Sequence, residues 1–357
     1  MEPHTAAKHE ILKNYLNAWL PIMTSYNGRV IFLDGFAGPG TYQGGEAGSP
    51  IIALEAALNH KHPITAEVRF IFIEARQDRY NHLLNLLDSQ YRQRLPANFT
   101  YTVENAKFDD ALREILDYLG ERQSRMAPTF AFIDPFGYSD TPFTILQRLM
   151  QHHRCEVLIN FNFEELNRFL SVESQWSHFD RQFGTSEWRD ALDIIVPEER
   201  KRLLHNLYKK QLEHSASIKY VRSFQMVNGG NRTDYFLFFG SNDIKGLLQM
   251  KHAMWRVDSS GTYRFSDRST FNQPYLIEPT PDYGLLKSLI VRRFQGKDHF
   301  RVDELERFII EETPFLDTHY KRAILRPMEE AGEVIVNQRK RRFTYPTGTV
   351  LHIPKTT

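Results

Sequence analysis

The chain has 357 residues, of which 41% are hydrophobic and 25% are charged, and its formal net charge is +1. This length suits one large domain and a smaller one, and the balanced charge argues against a protein that binds polyanions over its whole surface. The single cysteine, Cys155, excludes an intrachain disulfide framework and a cysteine-rich metal cluster, and no metal site is predicted. The first residues lack the basic-then-apolar pattern of a secretory signal, and no apolar run approaches the roughly 20 residues that cross a bilayer. We therefore expect a cytoplasmic protein without membrane contact.

The first part of the chain alternates predicted helices with predicted strands. An amphipathic helix over 6–23 comes first, with apolar residues at helical spacing. Apolar runs then predict five strands, at 30–34, 68–73, 99–103, 129–133 and 156–160. Helices are predicted between them, beginning near 49, 78, 109 and 141. This alternation is typical of an α/β fold with a doubly wound, mostly parallel sheet, which we expect for a first domain at 1–257.

The later part of this domain departs from the alternation. Residues 163–214 follow a helical pattern and are predicted to form an insertion packed beside the sheet. The runs at 220–227 and 235–239 flank an Asn-Gly-Gly-Asn sequence, so they predict an antiparallel pair. Residues 258–281 are rich in Ser, Thr, Asn and Pro and are predicted to be a linker.

Residues 282–357 are predicted to form a second domain. Three helices, over 283–294, 302–311 and 318–331, precede two short strands at 332–336 and 343–345 that bracket a basic tip. This is the layout of a winged helix-turn-helix, in which the third helix would enter a major groove and the wing would contact phosphate. From 281 to 357 there are 14 Lys and Arg against 11 Asp and Glu, which favours nucleic acid, although winged helices also bind proteins. The predicted nucleic-acid contacts are Lys321, Arg322, Arg339, Lys340, Arg341 and Arg342.

Polar residues follow the predicted strands at the points where they end. Asp34 ends the first strand and is followed by a loop that contains Gly35, Gly38 and Gly40. A buried strand, an acid and a glycine-rich turn are how an open α/β sheet binds a nucleotide-like ligand at its carboxyl edge. The further strand ends carry Glu74, Glu104-Asn105, Asp134 and Asn160. We expect all five ends to meet at that edge.

The spacing of these residues favours S-adenosylmethionine over other nucleotides. In nicotinamide enzymes the glycines open the helix directly, with the acid about 20 residues further on, whereas here residues 41–48 intervene and Glu74 lies far beyond the loop. The loop also lacks the G-x-x-x-x-G-K-[ST] sequence of triphosphate-binding loops. We predict that Asp34 receives the ammonium of S-adenosylmethionine, Glu74 the ribose hydroxyls and Asn105 the adenine amine. The predicted cofactor contacts within the loop are Phe36, Gly38 and Gly40.

The fourth strand end, Asp134-Pro135-Phe136-Gly137, resembles the [DN]-P-P-[YFW] motif of methyltransferases that modify exocyclic amines. In that motif the acid or amide side chain and the proline carbonyl hold the amine, while an aromatic ring stacks on the flipped base. Here Phe136 replaces the second proline and Gly137 replaces the aromatic residue, so Phe136 or Tyr138 is the predicted stacking ring. The candidate catalytic residues are Asp134, Pro135, Phe136 and Tyr138. Cytosine C5 methylation is excluded because no cysteine lies at this strand end, and Cys155 is expected to be buried and inert.

Several motifs together resemble the three-Cys-motif partner protein family. They are Lys8-His9-x-x-Leu12-x-x-Tyr15-Leu16-x-x-Trp19, Asp34-Gly35-Phe36-Ala37-Gly38-Pro39-Gly40-x-Tyr42, Gly48-Ser49-Pro50, Asp134-Pro135-Phe136-Gly137 and Met250-Lys251-x-x-Met254-Trp255. The resemblance covers nearly the whole chain and implies a Rossmann-type, class I methyltransferase-like domain followed by a winged helix. It further implies a bacterial protein and a partner, a radical-SAM-like protein with a three-cysteine motif. The helix that carries Lys8 and His9 is a candidate lid over the ligand.

These observations lead to three functional hypotheses. The first is an S-adenosylmethionine-dependent methyltransferase that acts on DNA or RNA and works with its partner. The second is a non-catalytic adaptor or regulator of that partner, which the departure of Asp134-Pro135-Phe136-Gly137 from the amine-methylating motif favours. The third is a nicotinamide dehydrogenase, which the spacing of the glycine loop disfavours.

Overall fold

The computed structural model describes residues 2–137, 141–267 and 281–355. The chain divides into two units, one of Met1–Ala253 and Arg264–Asn272 and the other of Met254–Tyr263 and Gln273–Thr357. Within the described residues, no helix combines the length and the apolarity needed to cross a membrane.

The first unit is built around an eight-stranded sheet. Its strands are β1 (Arg29–Asp34), β2 (Glu67–Ile73), β3 (Phe99–Glu104), β4 (Thr129–Ile133), β5 (Cys155–Phe161), β6 (Tyr220–Val227), β7 (Thr233–Ser241) and β8 (Arg264–Ser266). They lie in the order β3-β2-β1-β4-β5-β7-β6-β8. The first five strands in this order are parallel to one another, β7 is antiparallel to both of its neighbours, and β8 is parallel to β6. The prediction of an α/β fold with a large, mostly parallel sheet is confirmed.

Helices connect these strands. They are α1 (Pro3–Tyr26), α2 (Ser49–Leu58), α3 (Gln77–Gln90), α4 (Phe108–Glu121), α5 (Phe143–Met150), α6 (Phe163–Phe169), α7 (Trp176–Phe183), α8 (Pro197–Lys210) and α9 (Ile244–Trp255). Two 3-10 turns, Glu173–Gln175 and Glu187–Asp193, and a π-helical turn, Gln211–Ser215, complete the helical stretch between β5 and β6. The predicted insertion at 163–214 is this stretch.

The central strands are buried along nearly their whole length. Every residue of β4 and β5 is buried, whereas the edge strand β3 exposes alternate residues. On one face the ring of Tyr15 from α1 lies 4.8 Å from that of Phe130, and on the other face Ala131 packs in a cluster with Leu112 and Leu146. Because helices cover both faces, these strands carry continuous apolar runs, and such runs are what made them predictable from the sequence.

Part of the predicted linker belongs to the sheet of the first unit. Arg264–Ser266 forms β8 and pairs with Gln225–Val227 at the end of β6. The prediction of a linker over 258–281 therefore missed a strand that belongs to the sheet of the first unit. Residues 268–280 of that predicted linker lie outside the described residues.

The second unit contains three helical segments and a small antiparallel sheet. Its elements are α10 (Tyr283–Phe294), β9 (Phe300–Arg301), α11 (Val302–Glu312), a π-helical turn (Lys321–Leu325), α12 (Arg326–Glu330), β10 (Ile335–Asn337) and β11 (Val350–His352). The strands lie in the order β10-β11-β9. The predicted third helix at 318–331 is therefore shorter, and it begins with the π-helical turn.

The predicted second hairpin strand, Phe343–Tyr345, is wrong. The strand that pairs with β10 is β11, and residues 338–349 form the loop between them. Phe343 has a φ of 59°, in the left-handed region, and so interrupts an extended strand. The hydroxyl of Tyr345 instead donates a hydrogen bond of 2.8 Å to Glu329, which ties the loop to α12. The winged helix-turn-helix assignment of this unit stays a prediction.

Candidate functional site

Five polar side chains lie at the carboxyl ends of five neighbouring parallel strands. Asp34 ends β1, Glu74 follows β2, Asn105 follows β3, Asp134 follows β4 and Asn160 lies near the end of β5. Because these strands are parallel and adjacent, their carboxyl ends form one edge of the sheet. The structure therefore brings together the strand-end residues that the sequence singled out.

Asp34 is fully buried at this edge. Its Oδ1 accepts a hydrogen bond of 3.1 Å from the backbone amide of Phe36, while Oδ2 has no direct hydrogen-bond partner among the described residues. Burial raises the pKa of Asp34 to about 7, against the opposing effect of the nearby Ser49 hydroxyl and the Phe36 amide. The negative charges of Asp134 and Glu74 add to the rise of this pKa. In the part of the chain that the structure describes, Oδ2 is therefore a buried acceptor without a direct hydrogen bond, and it is available to a cationic ligand group.

The glycine loop after Asp34 depends on two glycines with left-handed backbone. Gly38 has a φ of 63° and Gly40 a φ of 85°, values that residues with a side chain rarely adopt. A side chain at Gly40 would also overlap Leu83 and Leu86 of α3. At Gly38, by contrast, no described atom lies within 4 Å of the position that a Cβ would take. The backbone at Gly38 therefore borders open space that a ligand can fill.

Residues 41–48, between the glycine loop and α2, form a closed loop. Gly48 donates a backbone hydrogen bond of 2.8 Å to Gly40, and within it Tyr42 donates one of 2.9 Å to Glu46. The chain therefore returns to the glycine turn before α2 begins at Ser49. The eight residues between the glycines and the helix in the sequence therefore do not separate them in space. The length of this segment is consequently a weaker argument against a dinucleotide ligand than the sequence alone suggested.

Glu74 joins the end of β2 to the glycine loop. Its side chain is buried, its Oε2 accepts a hydrogen bond of 2.9 Å from the amide of Gly38, and its Oε1 accepts one of 2.8 Å from the amide of Arg76. A carboxylate has further lone pairs, so that Glu74 can still accept from a ligand hydroxyl. Asn105 is exposed, and its Nδ2 donates to the backbone carbonyls of Glu74 and Ala75 at 2.9 and 3.2 Å. The amide group predicted to contact adenine thus supports the backbone beside Glu74.

A cleft of about 280 Å³ opens at this edge of the sheet. Its lining includes Gly35, Phe36, Glu74, Arg79, Phe108 and Phe136. The rings of Phe36 and Phe108 lie 5.4 Å apart, and the guanidinium of Arg79 lies 4.7 Å from the ring centre of Phe136. Since its walls are aromatic and an acid lies at its floor, the cleft suits a flat ligand that bears hydroxyl donors.

Asp134 is held by two side chains, one from α1 and one from β5. Its Oδ2 lies 2.5 Å from Nζ of Lys8, and its Oδ1 accepts a hydrogen bond of 2.7 Å from Nδ2 of Asn160. Only 8% of the Lys8 side chain is exposed, and its ammonium also lies 5.3 Å from the ring centre of Tyr235. The sequence places Lys8 on a candidate lid helix, and the prediction did not include this ion pair. The sequence pattern does indicate that Lys8 is buried, because it shares a helical spacing with Leu12, Tyr15 and Trp19 on the buried face of α1.

His9, next to Lys8, links α1 to the closed loop of residues 41–48. Its Nε2 lies 3.4 Å from the hydroxyl of Tyr42, and its Nδ1 has no hydrogen-bond partner in the part of the chain that the structure describes. Burial and, to a smaller extent, the charge of Lys8 lower the pKa of His9 to about 4, against the opposing effect of Asp134. His9 is therefore neutral near pH 7.

The other candidate catalytic residues have different surroundings. Pro135 is buried, whereas 69% of Phe136 is exposed, so its ring is accessible for stacking. Gly137 has a φ of 96°, which a non-glycine residue would adopt only with strain. Tyr138 lies outside the described residues.

The basic residues predicted to contact nucleic acid lie in the second unit. Arg339 forms two hydrogen bonds to Glu329 and its side chain is only 13% exposed, so its guanidinium is committed to an internal ion pair. Arg342 lies 4.0 Å from the same carboxylate but is 74% exposed. A cleft of about 950 Å³ is lined by most of the remaining predicted contacts, Lys321, Arg322, Lys340 and Arg341.

No family model matches the chain, and no curated protein matches it. Among solved structures, the chain is similar to a Legionella pneumophila protein at 14% identity, with 66% of this chain and 85% of that chain covered and a TM-score of 0.39. It is similar to human methyltransferase-like protein 13 in complex with SAH at 10% identity, with 77% and 97% covered and a TM-score of 0.36. For the small RNA methyltransferase HEN1 the identity is 11%, the coverage 65% and 26%, and the TM-score 0.35.

Proposed function

We propose that the first unit binds S-adenosylmethionine at the carboxyl edge of its sheet and transfers the methyl group to an amine of a nucleic acid. The observation that carries the proposal is the buried Asp34, whose Oδ2 makes no direct hydrogen bond among the described residues, together with the open space at Gly38 in the loop that follows it. The strand order β3-β2-β1-β4-β5-β7-β6 with an antiparallel β7 supports it, because class I methyltransferases share this order.

The residues at the edge fit this cofactor. Asp34 would receive the α-ammonium group, and the loop at Gly38 and Gly40 lets the ligand approach the backbone closely. Glu74 would accept from the ribose hydroxyls, and Phe36 lines the aromatic wall of the cleft. When bound, the cofactor supplies an electrophilic methyl group on a sulfonium sulfur.

Asp134 would orient the acceptor amine. Lys8 and Asn160 each engage one of its oxygens, which fixes the plane of the carboxylate, and each oxygen keeps a lone pair for an N–H of the substrate. In this arrangement Lys8 is a positioning residue, since it acts on the substrate only through Asp134. The exposed ring of Phe136 is available to stack on a base.

The nucleic-acid substrate and the partner rest on the second unit and on the family resemblance. The cationic cleft of the second unit supports a polyanionic substrate. The resemblance to the three-Cys-motif partner proteins supports a radical-SAM-like companion, and we include it in the proposal on that basis.

A methyl-transfer assay tests the proposal. The purified protein, with and without the companion, is incubated with tritiated S-adenosylmethionine and with total RNA or total DNA. We expect label in one of the two nucleic acids and its loss in Asp134→Ala, whose cofactor binding is retained. The absence of transfer to either nucleic acid in both arms would contradict the proposal.

Two observations favour a non-catalytic adaptor as the second candidate. Both oxygens of Asp134 already have partners within the chain, and Gly137 replaces the aromatic residue of the amine-methylating motif. An adaptor would bind S-adenosylmethionine and co-purify with the companion, yet it would transfer no label. The same assay therefore separates the two functions.

A further inference from the structure

The cleft of the second unit concentrates positive charge, most of it without an ion-pair partner among the described residues. Arg322, Lys340 and Arg341 line it and form no ion pair with any described residue. Lys321 also lines it and lies 3.2 Å from Glu306 at the surface, where such a pair contributes little. A concavity with several unpaired cations is suited to phosphate groups.

Two guanidinium groups lie close to an aromatic ring in this cleft. The guanidinium of Arg326 lies 5.1 Å and that of Arg342 4.7 Å from the ring centre of Phe343. Arg342 is 74% exposed, so the outer face of its guanidinium is open to solvent. Nucleobases stack on aromatic rings and on guanidinium planes alike. The backbone of Phe343 has a left-handed φ of 59°, and strained backbone of this kind clusters at functional sites.

The shape of the cleft disfavours a double helix. A reading helix must protrude far enough to enter a major groove about 12 Å wide. Here Lys321, Arg322 and Arg326 lie on one continuous helical segment, the π-helical turn followed by α12, and they line a cavity of about 950 Å³ rather than a convex surface. A single strand, whose bases and phosphates are both accessible, can enter such a cavity.

We propose that this cleft binds a single-stranded polynucleotide, with phosphates at Arg322, Lys340 and Arg341 and a base stacked on the Phe343–Arg342 platform. The inference depends on the proposed function only in treating the bound strand as the methyl acceptor. Binding of the strand is a separate property and is measured without methyl transfer.

Fluorescence anisotropy of the full-length protein with labelled strands of about 12 nucleotides tests this inference. The arms are single-stranded RNA, single-stranded DNA, the DNA duplex of the same sequence, and heparin as an unlabelled competitor. We expect either single strand to bind at least about tenfold more tightly than the duplex. The RNA and DNA arms show which sugar is preferred. Equal or tighter binding of the duplex, or binding to heparin alone, would overturn the proposal.

Two kinds of variant separate charge from stacking. Lys340→Ala/Arg341→Ala should lower the slope of log K against log salt by about 1.4, since each single-strand contact contributes about 0.7. Phe343→Ala should weaken single-strand binding by about tenfold with little change in that slope, and Phe343→Trp should keep it. The control Arg292→Ala/Arg293→Ala removes equal charge from residues that do not line the cleft. Equal weakening by the control, or an unchanged slope in the cleft variant, would contradict the assignment. Calorimetric binding of S-adenosylmethionine should be the same in all these variants, so a failure here is distinct from a failure of the cofactor site.

Discussion

The ammonium of Lys8 lies 2.5 Å from Oδ2 of Asp134, although 126 positions separate the two residues in the sequence. This ion pair joins the first helix to the end of β4, where the candidate amine-binding motif begins. Both side chains are largely shielded from solvent, at 8% and 18% exposure. Removing one partner of such a pair leaves the other charge poorly compensated, which is costly. The orientation of Asp134 therefore depends on α1.

Lys8→Ala should strongly slow methyl transfer while the cofactor still binds. Without Lys8, the carboxylate of Asp134 loses one of its two orienting contacts, and we expect the transfer rate to fall by about 100-fold. The dissociation constant for S-adenosylmethionine should change by less than about threefold, because among the described residues no hydrogen bond or ion pair joins Lys8 to a predicted cofactor contact. Transfer is measured with tritiated cofactor and binding by calorimetry.

Lys13→Ala is the matched control, since Lys13 lies on the exposed side of the same helix. It should leave both quantities unchanged. Full transfer activity in Lys8→Ala would refute the positioning role.

Asp34 should make the stability of the protein fall as the pH rises. Its pKa is raised from 3.8 to about 7 on folding, so between these values the folded state holds a proton that the unfolded state has released. Stability is therefore lost as pH rises through this window and is constant above it, by at most about 4 kcal/mol. Asp34→Asn removes this contribution, and its Tm should exceed that of the wild type at about pH 8 but not at about pH 4.

The same substitution should weaken S-adenosylmethionine binding, because the buried anion that receives the ammonium is gone. Burial also raises the pKa of Glu156 to about 7, so the comparison uses the difference between the two melting curves rather than either curve alone. A Tm for Asp34→Asn below that of the wild type at every pH would show that Asp34 is not a buried, strained acid.

Gly246 is expected to tolerate no side chain. A Cβ at this position in α9 would lie 2.0 Å from Oε1 of Glu156, whose carboxylate accepts hydrogen bonds of 2.6 Å from Tyr15 and Ser241. Gly246→Ala should therefore destabilise the unit by about 3 kcal/mol, through overpacking and the disruption of a buried network. Urea unfolding followed by circular dichroism measures the loss.

Gly120→Ala is the contrasting substitution. Gly120 lies in α4, is exposed, and has no described atom within 4 Å of its Cβ position. It should be neutral or stabilising by up to about 1 kcal/mol, since alanine is the better helix former. Equal losses in the two variants would mean that crowding at Glu156 is not the cause.

The five parallel strands and the acids at their ends could be predicted from sequence because local rules determine them. Continuous apolar runs mark strands covered on both faces, and parallel order then places Asp34, Glu74 and Asp134 at one edge. The geometry of the residues 41–48 could not be predicted in this way. Their closure depends on one backbone hydrogen bond between Gly48 and Gly40, which no composition rule specifies.

The errors in the second unit and at Lys8 have a common cause. The strand β10 pairs with β11 and not with Phe343–Tyr345, and this choice depends on contacts between residues far apart in the sequence. The ion pair between Lys8 and Asp134 likewise joins residues far apart in the sequence. A sequence pattern can assign a lysine to the buried face of a helix, but it cannot name the carboxylate that it will meet. The internal pairing of Arg339 with Glu329 was missed for the same reason.

The most direct test of the central claim is calorimetric titration of the wild type, Glu74→Ala and Glu156→Gln with S-adenosylmethionine. Glu74 lies at the carboxyl edge beside Gly38, whereas Glu156 is an equally buried carboxylate near the start of β5, at the opposite edge. The account predicts one-to-one binding by the wild type, at least about tenfold weaker binding by Glu74→Ala, and unchanged binding by Glu156→Gln. No binding by the wild type, or equal weakening in the two variants, would contradict it.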